Sequence, residues 1–329
     1  MSNASAKSYV ELHARSAFSF LRGASFPEHL AEVGAELGLP AIALTDRNGV
    51  YGAPRFYARG KELGIKPVVG AELAMEDGSV LPVLVESRRG YQNLCRLVTN
   101  GHLRAPKGEC ALGWEELPEF AEGLVALTGD EDGPLARAIQ AHDSGNGEAR
   151  SPQQVLERIT RTFGTDRVYV ELQRQHLRGE DRLIRSQCEL AERHRLPILA
   201  TGGVLYARRS GRQVLDVFTC LRNHTHLDAA GTLLARNSER HLKSAAEMQE
   251  LFRDLPQAIE NTVRLADRLQ FSLENLGYEF PRYPLSAGQT PEQLLWEQTY
   301  AGARQRGEQR GVLQPRNYGV RSGRRQAAV

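Results

Sequence analysis

The chain has 329 residues, 42 Lys and Arg against 40 Asp and Glu, and a formal charge of +2. That length accommodates one large α/β domain or two smaller ones, and 41 % hydrophobic with 25 % charged residues excludes a disordered or collagen-like chain. No apolar run approaches the ~20 residues of a membrane span, and the near-neutral total excludes a wholly basic nucleic-acid binder, although residues 304–329 hold seven Arg against one Glu, a +6 end behind a body of −4.

Residues 1–6 (MSNASA) have neither the basic nor the apolar region of a signal peptide, and residues 1–7 read as tag-like and disordered. The pattern then repeats a strand–helix–Gly–strand unit, the mark of parallel βαβ construction. Residues 9–12 (YVEL) read as a strand, 27–37 as a helix begun by Pro27 and stopped by Gly38, and 40–44 as a buried strand. Residues 53–63 read as a helix closed by Gly64, 66–72 as a strand, 80–85 as a strand and 91–100 as a helix. Strands over 124–127, 168–172 and 198–201 alternate with helices over 133–141, 155–163 and 180–194. Periodicity alone fits both an open doubly wound sheet and a barrel.

After Tyr206 the strands stop, and 212–221, 244–254 and 257–269 read as helices, the second opened by a Ser244/Glu247 capping box. Residues 280–291 are Pro-rich and read as a boundary, and 291–305 as a helix with Thr290 as N-cap. Residues 306–329 lack an apolar face and are expected to be a disordered basic tail. Cys95, Cys110, Cys188 and Cys220 form no CxxC; Cys95 and Cys188 read as core residues, and a reduced cytoplasmic protein is expected. No Gly-rich phosphate loop is present, and Gly202-Gly203 reads as a tight turn.

Polar residues at the C-terminal ends of parallel strands are the default site candidates. Here those ends carry His13-Ala14-Arg15-Ser16, Thr45-Asp46-Arg47-Asn48, Glu72, Thr128-Gly129-Asp130 and Glu171, with His102 after a helix. Together with LHARSAFSFLRGAS (12–25), the run from 41 to 73, GYQNLCRLVT (90–99), GLVALTG (123–129), VYVELQRQH (168–176) and LPILATGGVLYA (196–207), they make the chain resemble the PHP (polymerase and histidinol phosphatase) domain that begins bacterial C-family DNA polymerases. NSERHLKSAAEM (237–248) and SLENLGYEFP (272–281) resemble the error-prone, DnaE-type branch. The resemblance covers about residues 8–305 and implies an α/β fold: a distorted seven-stranded β/α, TIM-like barrel over 8–207, a helical extension over 208–285 closing it, and the first part of a palm segment over 286–305.

Metal-binding members of that family hold divalent ions at these strand ends for phosphoester hydrolysis, where neighbouring cations stabilise the attacking and leaving oxygens. Carried over, His13 matches the first His of the family's HxH motif, Glu72 the strand-three glutamate and His102 a later His, while Asp130 stands at a further ligand position. Five positions depart from the ligand type: Arg15, Arg22, Arg47, Gly203 and Leu205. A guanidinium has no lone pair to offer a metal and repels one, so Arg15, Arg22 and Arg47 are expected to replace the metals by pairing with Glu72, Asp46 and Asp130. His176 is given no role, and His224 and His226 are expected to be solvated. The resemblance thus implies no intact metal site and no catalytic residue in this chain: zinc or manganese at low occupancy at most, and magnesium only in a polymerase palm that these residues do not contain.

The expected role is that of a structural and partner-contact part of an error-prone polymerase in damage-induced or translesion synthesis. The expected partners are the remainder of the polymerase chain, DNA through the full-length protein, and other mutagenesis or replication proteins; no membrane is expected. The alternative is a residual metal-dependent phosphoesterase or 3′–5′ exonuclease. The length and the change of charge near residue 305 lead to the expectation of a fragment.

Overall fold

Seven strands form in chain order and pair in that same order, β1 (Glu11–Ala14), β2 (Ala41–Arg47), β3 (Lys66–Ala74), β4 (Val80–Val85), β5 (Leu124–Leu127), β6 (Val168–Gln173) and β7 (Ile198–Thr201), in a computed structural model that describes residues 8–145, 150–274, 276 and 284–310. All seven predicted strands are present. The sheet curls until its edges meet: Val204, just past β7, donates to His13 O and accepts from Arg15 N, each at 2.9 Å, making a parallel bridge to β1. This nearly closed barrel decides the choice that periodicity left open.

Two details depart from the sequence reading. The strand expected over 9–12 lies at Glu11–Ala14, because Val10 N donates to Thr262 Oγ1 at 3.1 Å instead of joining the β1–β2 ladder. The β3–β4 and β4–β5 pairs are antiparallel, not parallel. The segment between β3 and β4 is too short for a crossover helix and forms a turn instead, with Met75 N on Ser79 O at 2.8 Å.

The helices are α1 (Pro27–Glu36), α2 (Ala53–Glu62), α3 (Arg88–Arg104), α4 (Leu117–Phe120), α5 (Pro134–Asp143), α6 (Pro152–Phe163), α7 (Glu180–His194), α8 (Gly211–Arg222), α9 (Leu227–Ala230), α10 (Ala245–Leu251), α11 (Pro256–Arg268) and α12 (Pro291–Arg310). The capping box predicted at Ser244 and Glu247 opens α10. Alternate residues of each strand face outward and pack under the helices, Ile42 and Leu44 against Leu30 and Phe56 for example. The inward set includes Val10, Leu12, Ala41, Ala43, Val68, Leu127, Tyr169 and Leu199, and one end of it is plugged by Leu265, Ala266 and Leu269 of α11 and the residue after it. The same inward rows turn polar toward the other end: Ala41, Ala43, Thr45, Arg47 on β2; Val68, Gly70, Glu72 on β3; Tyr169, Glu171, Gln173 on β6. That switch creates the barrel mouth.

The chain divides into two compact units, residues 1–274 and 275–329. In the second, α12 begins after Thr290, whose Oγ1 accepts from Gln293 N at 3.3 Å. It runs to Arg310, so residues 306–310, expected to be disordered, are helical. Residues 1–7, 280–283 and 311–329, which carry the tag-like start, part of the Pro-rich boundary and most of the basic tail, lie outside the described residues. No helix among the described residues is long and apolar enough to cross a membrane. All four cysteines are free thiols; Cys95 and Cys188, expected in the core, are half-buried.

Candidate metal-site remnant at the barrel mouth

A bulge in β1 builds the centre of the mouth. Glu11 pairs with Ile42 and Ala14 with Leu44, so Leu12 and His13 together stand opposite Ala43. Such an extra residue shifts the alternation and re-aims a side chain. Leu12 remains in the apolar barrel interior, and His13 lies between two carboxylates, its Nδ1 2.7 Å from Glu171 Oε1 and its Nε2 2.7 Å from Glu72 Oε1. All three side chains are at most 1 % exposed. Burial alone would lower the His13 pKa, but the Glu171 and Glu72 carboxylates outweigh it and push it up to about 10. The ring is therefore an imidazolium that donates from both nitrogens.

Two guanidiniums complete the cage around Glu72. Arg15 donates from Nε to Glu72 Oε1 and from Nη2 to Asp130 Oδ2, the latter at 2.5 Å. Arg47 donates from Nε to Glu72 Oε2 at 2.7 Å. Burial would raise the pKa of Glu72; the Arg15 and Arg47 charges overcome this and hold it far below the usual carboxylate range. Asp130 is likewise held down against burial by Arg15 and by Arg240, whose Nη1 lies 3.2 Å from Asp130 Oδ2. Arg240 also pairs with Glu131. Arg15 is pulled upward by Glu72 and Asp130 against its burial and stays charged.

The expected pairing is thus realised for Arg15 and Arg47 and not for Arg22 or Asp46. Asp46 lies out of phase with Arg47 on β2 and accepts from Ser16 N at 2.8 Å, Ser16 Oγ at 2.8 Å and Ser19 Oγ at 2.7 Å, which ties the β1–α1 loop to the strand. Arg22 has no carboxylate partner among the described residues and lines the cavity over the mouth, together with Arg15, Asp130, Glu131, Leu205, Arg222 and Arg240. Its pKa is pushed down to about 10 by burial and by the neighbouring Arg47, Arg222 and Arg15 charges.

The other expected positions are distributed as follows. His102 is apart from the cluster: its Nε2 lies 2.8 Å from Asn48 O and its Nδ1 2.9 Å from Glu109 O, so both nitrogens face main-chain carbonyls. Gly203 takes φ 56° in the turn after β7, and a Cβ there would come within 2.2 Å of Gln173 Oε1. Leu205 N donates to Arg240 O at 2.9 Å, and its side chain lines the cavity. His224 and His226 are exposed, as expected, and so is His176. Sequence reasoning did not single out Arg222 or Arg240, which come from the helical extension and carry no local signal. Glu171 did carry one: an acid within a buried strand run on an inward-facing position.

His13, Glu72 and Asp130 place one ligand atom each within 4.8 Å of one another, the geometry of a potential metal triad. The donor chemistry does not fit an ion. Both His13 nitrogens, both Glu72 oxygens and both Asp130 oxygens already receive hydrogen bonds or are protonated. The buried oxygens without a partner here are Glu171 Oε2 and, on the Gln173 side chain bonded to Glu171, Oε1, while a guanidinium nitrogen, Arg47 Nη2, is an orphaned donor. One carboxylate oxygen and one amide oxygen are short of the three or four protein ligands that zinc takes.

A family profile described as PHP domain matches residues 11–175. The chain is 37 % identical to an error-prone DNA polymerase of Alkalilimnicola ehrlichii, over 90 % of this chain and 27 % of that protein. It is 32 % identical to error-prone DNA polymerase 2 of Rhizobium meliloti, over 91 % of this chain and 26 % of the relative. It therefore spans about a quarter of the length of these curated relatives. Among solved structures, a lesion-specific endonuclease from Pyrococcus furiosus matches with TM-score 0.39 and 12 % identity, over 60 % of this chain and 48 % of that one. Barrel, strand-end cluster and sequence relatives agree: the chain belongs to the PHP domain family, in the form carried by proteins named error-prone DNA polymerase.

Proposed function

We propose that this chain is a non-hydrolytic PHP barrel serving as a structural and partner-contact part of an error-prone DNA polymerase in damage-induced or translesion synthesis, in the cytoplasm, with DNA reached through the polymerase body. One observation carries the reading: His13 and Glu72, the two residues that match family ligands most directly, are saturated by Glu171, Arg15 and Arg47. Three cations of the protein itself stand among Glu72, Glu171 and Asp130, which removes the electrostatic demand for metal ions. The His102 and Gly203 positions supply no replacement ligands.

Elemental analysis of the purified chain tests this directly, and less than one zinc or manganese per several chains is expected. A chelator-sensitive exonuclease assay on single-stranded DNA should give no activity above background. A second reading, a residual metal-dependent phosphoesterase or 3′–5′ exonuclease, is supported by the 4.8 Å grouping of His13, Glu72 and Asp130. Stoichiometric metal together with EDTA-sensitive cleavage would establish that second reading and remove the first.

A further inference from the structure

α8 is apolar on two sides. Its inner side buries Leu215 and Cys220 together with Thr219. Its outer side presents Val214, Val217 and Leu221, which are 44 %, 45 % and 56 % exposed. A helix that borders water carries a polar outer face, and one that is apolar all round is ordinarily covered all round. The same edge gathers the exposed apolar surface of the barrel unit. Phe20 on the β1–α1 loop, Leu227 on α9 and Leu233 in the short turn after it join the three on α8, so six of the nine large apolar side chains exposed in residues 8–274 belong to this edge. The loop is tied to α8 by Arg222, whose Nη1 donates to Leu21 O at 3.2 Å. Such a concentration marks an interaction surface, unlike singly scattered apolar residues. Its exposed area is on the order of 600 Å², which meets the apolar share of a patch that buries ~800 Å² per partner.

The outer face of α8 complements itself. Val214, Val217 and Leu221 are spaced three residues and then four, the a–d–a repeat of a helix–helix seam. A two-fold axis at Val217 brings Val214 of one copy to Leu221 of the other. No charged residue interrupts the stripe, and Arg212 and Asp216 beside it pair with each other at 3.4 Å. Two such faces therefore meet without burying an unpaired charge. Arg222, at the end of the helix, fixes the direction. It makes no ion pair among the described residues, and a parallel pairing would set two such charges side by side. An antiparallel pairing separates them by roughly 15 Å along the helix axes, beyond the ~8 Å over which charges act in physiological salt. It also opposes the two helix dipoles.

We propose that α8 is the seam of a two-fold dimer in which a second copy of this chain pairs antiparallel across Val214, Val217 and Leu221, with Phe20, Leu227 and Leu233 closing around that seam. An isologous contact of this kind needs one patch, present on both copies, and closes after two. The formal charge of +2 per chain opposes the association little. The inference is independent of the metal-free reading of the barrel mouth.

Sedimentation velocity of the full chain from about 1 to 100 μM tests this, a range that captures the micromolar affinity of a patch this size. A monomer–dimer equilibrium is expected. Val217→Glu sets two carboxylates against each other at the axis and should weaken dimerisation roughly 10-fold or more, whereas Leu103→Glu, an exposed position on α3, should leave it unchanged. Val217→Cys should form an intermolecular disulfide on oxidation, beyond any that the unsubstituted chain forms, and Val214→Cys, displaced from the axis, should not. This second readout holds even where Val217→Glu disturbs the helix. A chain that stays monomeric up to 100 μM would overturn the proposal and leave the stripe to another occupant, such as the remainder of a polymerase chain. A dimer that Val217→Glu leaves intact and Val217→Cys does not cross-link would place the contact on another face and overturn it. Equal cross-linking of Val214→Cys and Val217→Cys would mean parallel helices and overturn the antiparallel seam. None of these outcomes bears on metal content, so the metal-free reading stands or falls separately.

Discussion

Glu171 holds His13 from the side opposite Glu72: His13 Nδ1 meets Glu171 Oε1 at 2.7 Å, and Thr201 Oγ1 and Gln173 Nε2 donate to that same carboxylate oxygen. A ring fixed between two acids cannot be neutral without losing a hydrogen bond, and that requirement links the barrel mouth to pH.

The His13 pKa is raised from its ordinary value of 6.5 to about 10. Its contribution to stability is therefore complete below about pH 6.5 and is lost as pH rises toward 10, by up to about 5 kcal/mol at full deprotonation. Glu72 and Asp130 are depressed, so their contribution is complete above the ordinary carboxylate range and is lost on acidification. Thermal melts should peak between about pH 5 and 6.5 and decline steadily to pH 10. His13→Gln, which retains hydrogen-bonding capacity without the titration, should be less stable at pH 6 and lose most of the alkaline slope. An unchanged slope in that variant would place the titrating group elsewhere.

Removing Glu72 should be among the most destabilising single changes. Glu72→Gln leaves His13, Arg15 and Arg47 crowded without their shared carboxylate. Breaking a buried pair in this way costs about 3–5 kcal/mol. The double variant Glu72→Gln, Arg15→Gln removes one stranded cation and should recover part of that loss. Urea unfolding of both singles and the double gives the coupling, and simple additivity would contradict the shared-carboxylate geometry.

Most of the barrel was legible because buried strand runs and Gly-stopped helices are local signals. The Ser244 capping box, all seven strands and the Pro27 start of α1 follow from a few neighbouring residues each. The antiparallel β3–β4 and β4–β5 pairs were not legible, because the repeated βαβ pattern points to parallel pairing and β4–β5 runs antiparallel even with α3 and α4 between its strands. At the site, the motif positions located His13, Arg15, Arg47 and Glu72. The pairing of Arg15 and Arg47 with these acids was legible, and the partners of Asp46 and Arg22 were not. Asp46 and Arg47 are adjacent in sequence, and only the pleat, which sends them to opposite faces of the sheet, explains why Asp46 meets serines while Arg47 meets Glu72. Arg222 and Arg240 reach the mouth from a helix end and a loop far along the chain, and no periodicity announces them.

The Gly203 position resists reversion to an acidic ligand. Its φ of 56° disfavours any side chain, and a Cβ would collide with Gln173 Oε1 at 2.2 Å. Gly203→Asp should lower stability by about 1–3 kcal/mol, from the strained backbone and the displaced Gln173. It should leave metal content unchanged in elemental analysis. Adding Gln173→Ala should recover the steric part of the loss and not the backbone part.

Arg15 and Arg47, by contrast, are the two residues whose replacement should invite a metal back. With both changed to His, Glu72 loses the guanidiniums from its two oxygens and Asp130 loses one of its two. The pKa of His13 stays high only while Glu72 and Glu171 both require its protons, and a divalent ion on Glu72 would replace that requirement with a lone-pair bond. His13, Glu72 and Asp130 already lie within 4.8 Å of one another, and two further imidazoles bring the donor number to that of a complete site. Arg15→His, Arg47→His should therefore take up about one zinc per chain after loading and dialysis and melt at higher temperature with zinc than with EDTA, whereas the parent protein shows neither effect. Failure of the double variant to bind zinc while it remains folded would mean that the guanidiniums are not what excludes metal, and Arg240, still on Asp130, would be the next residue to replace.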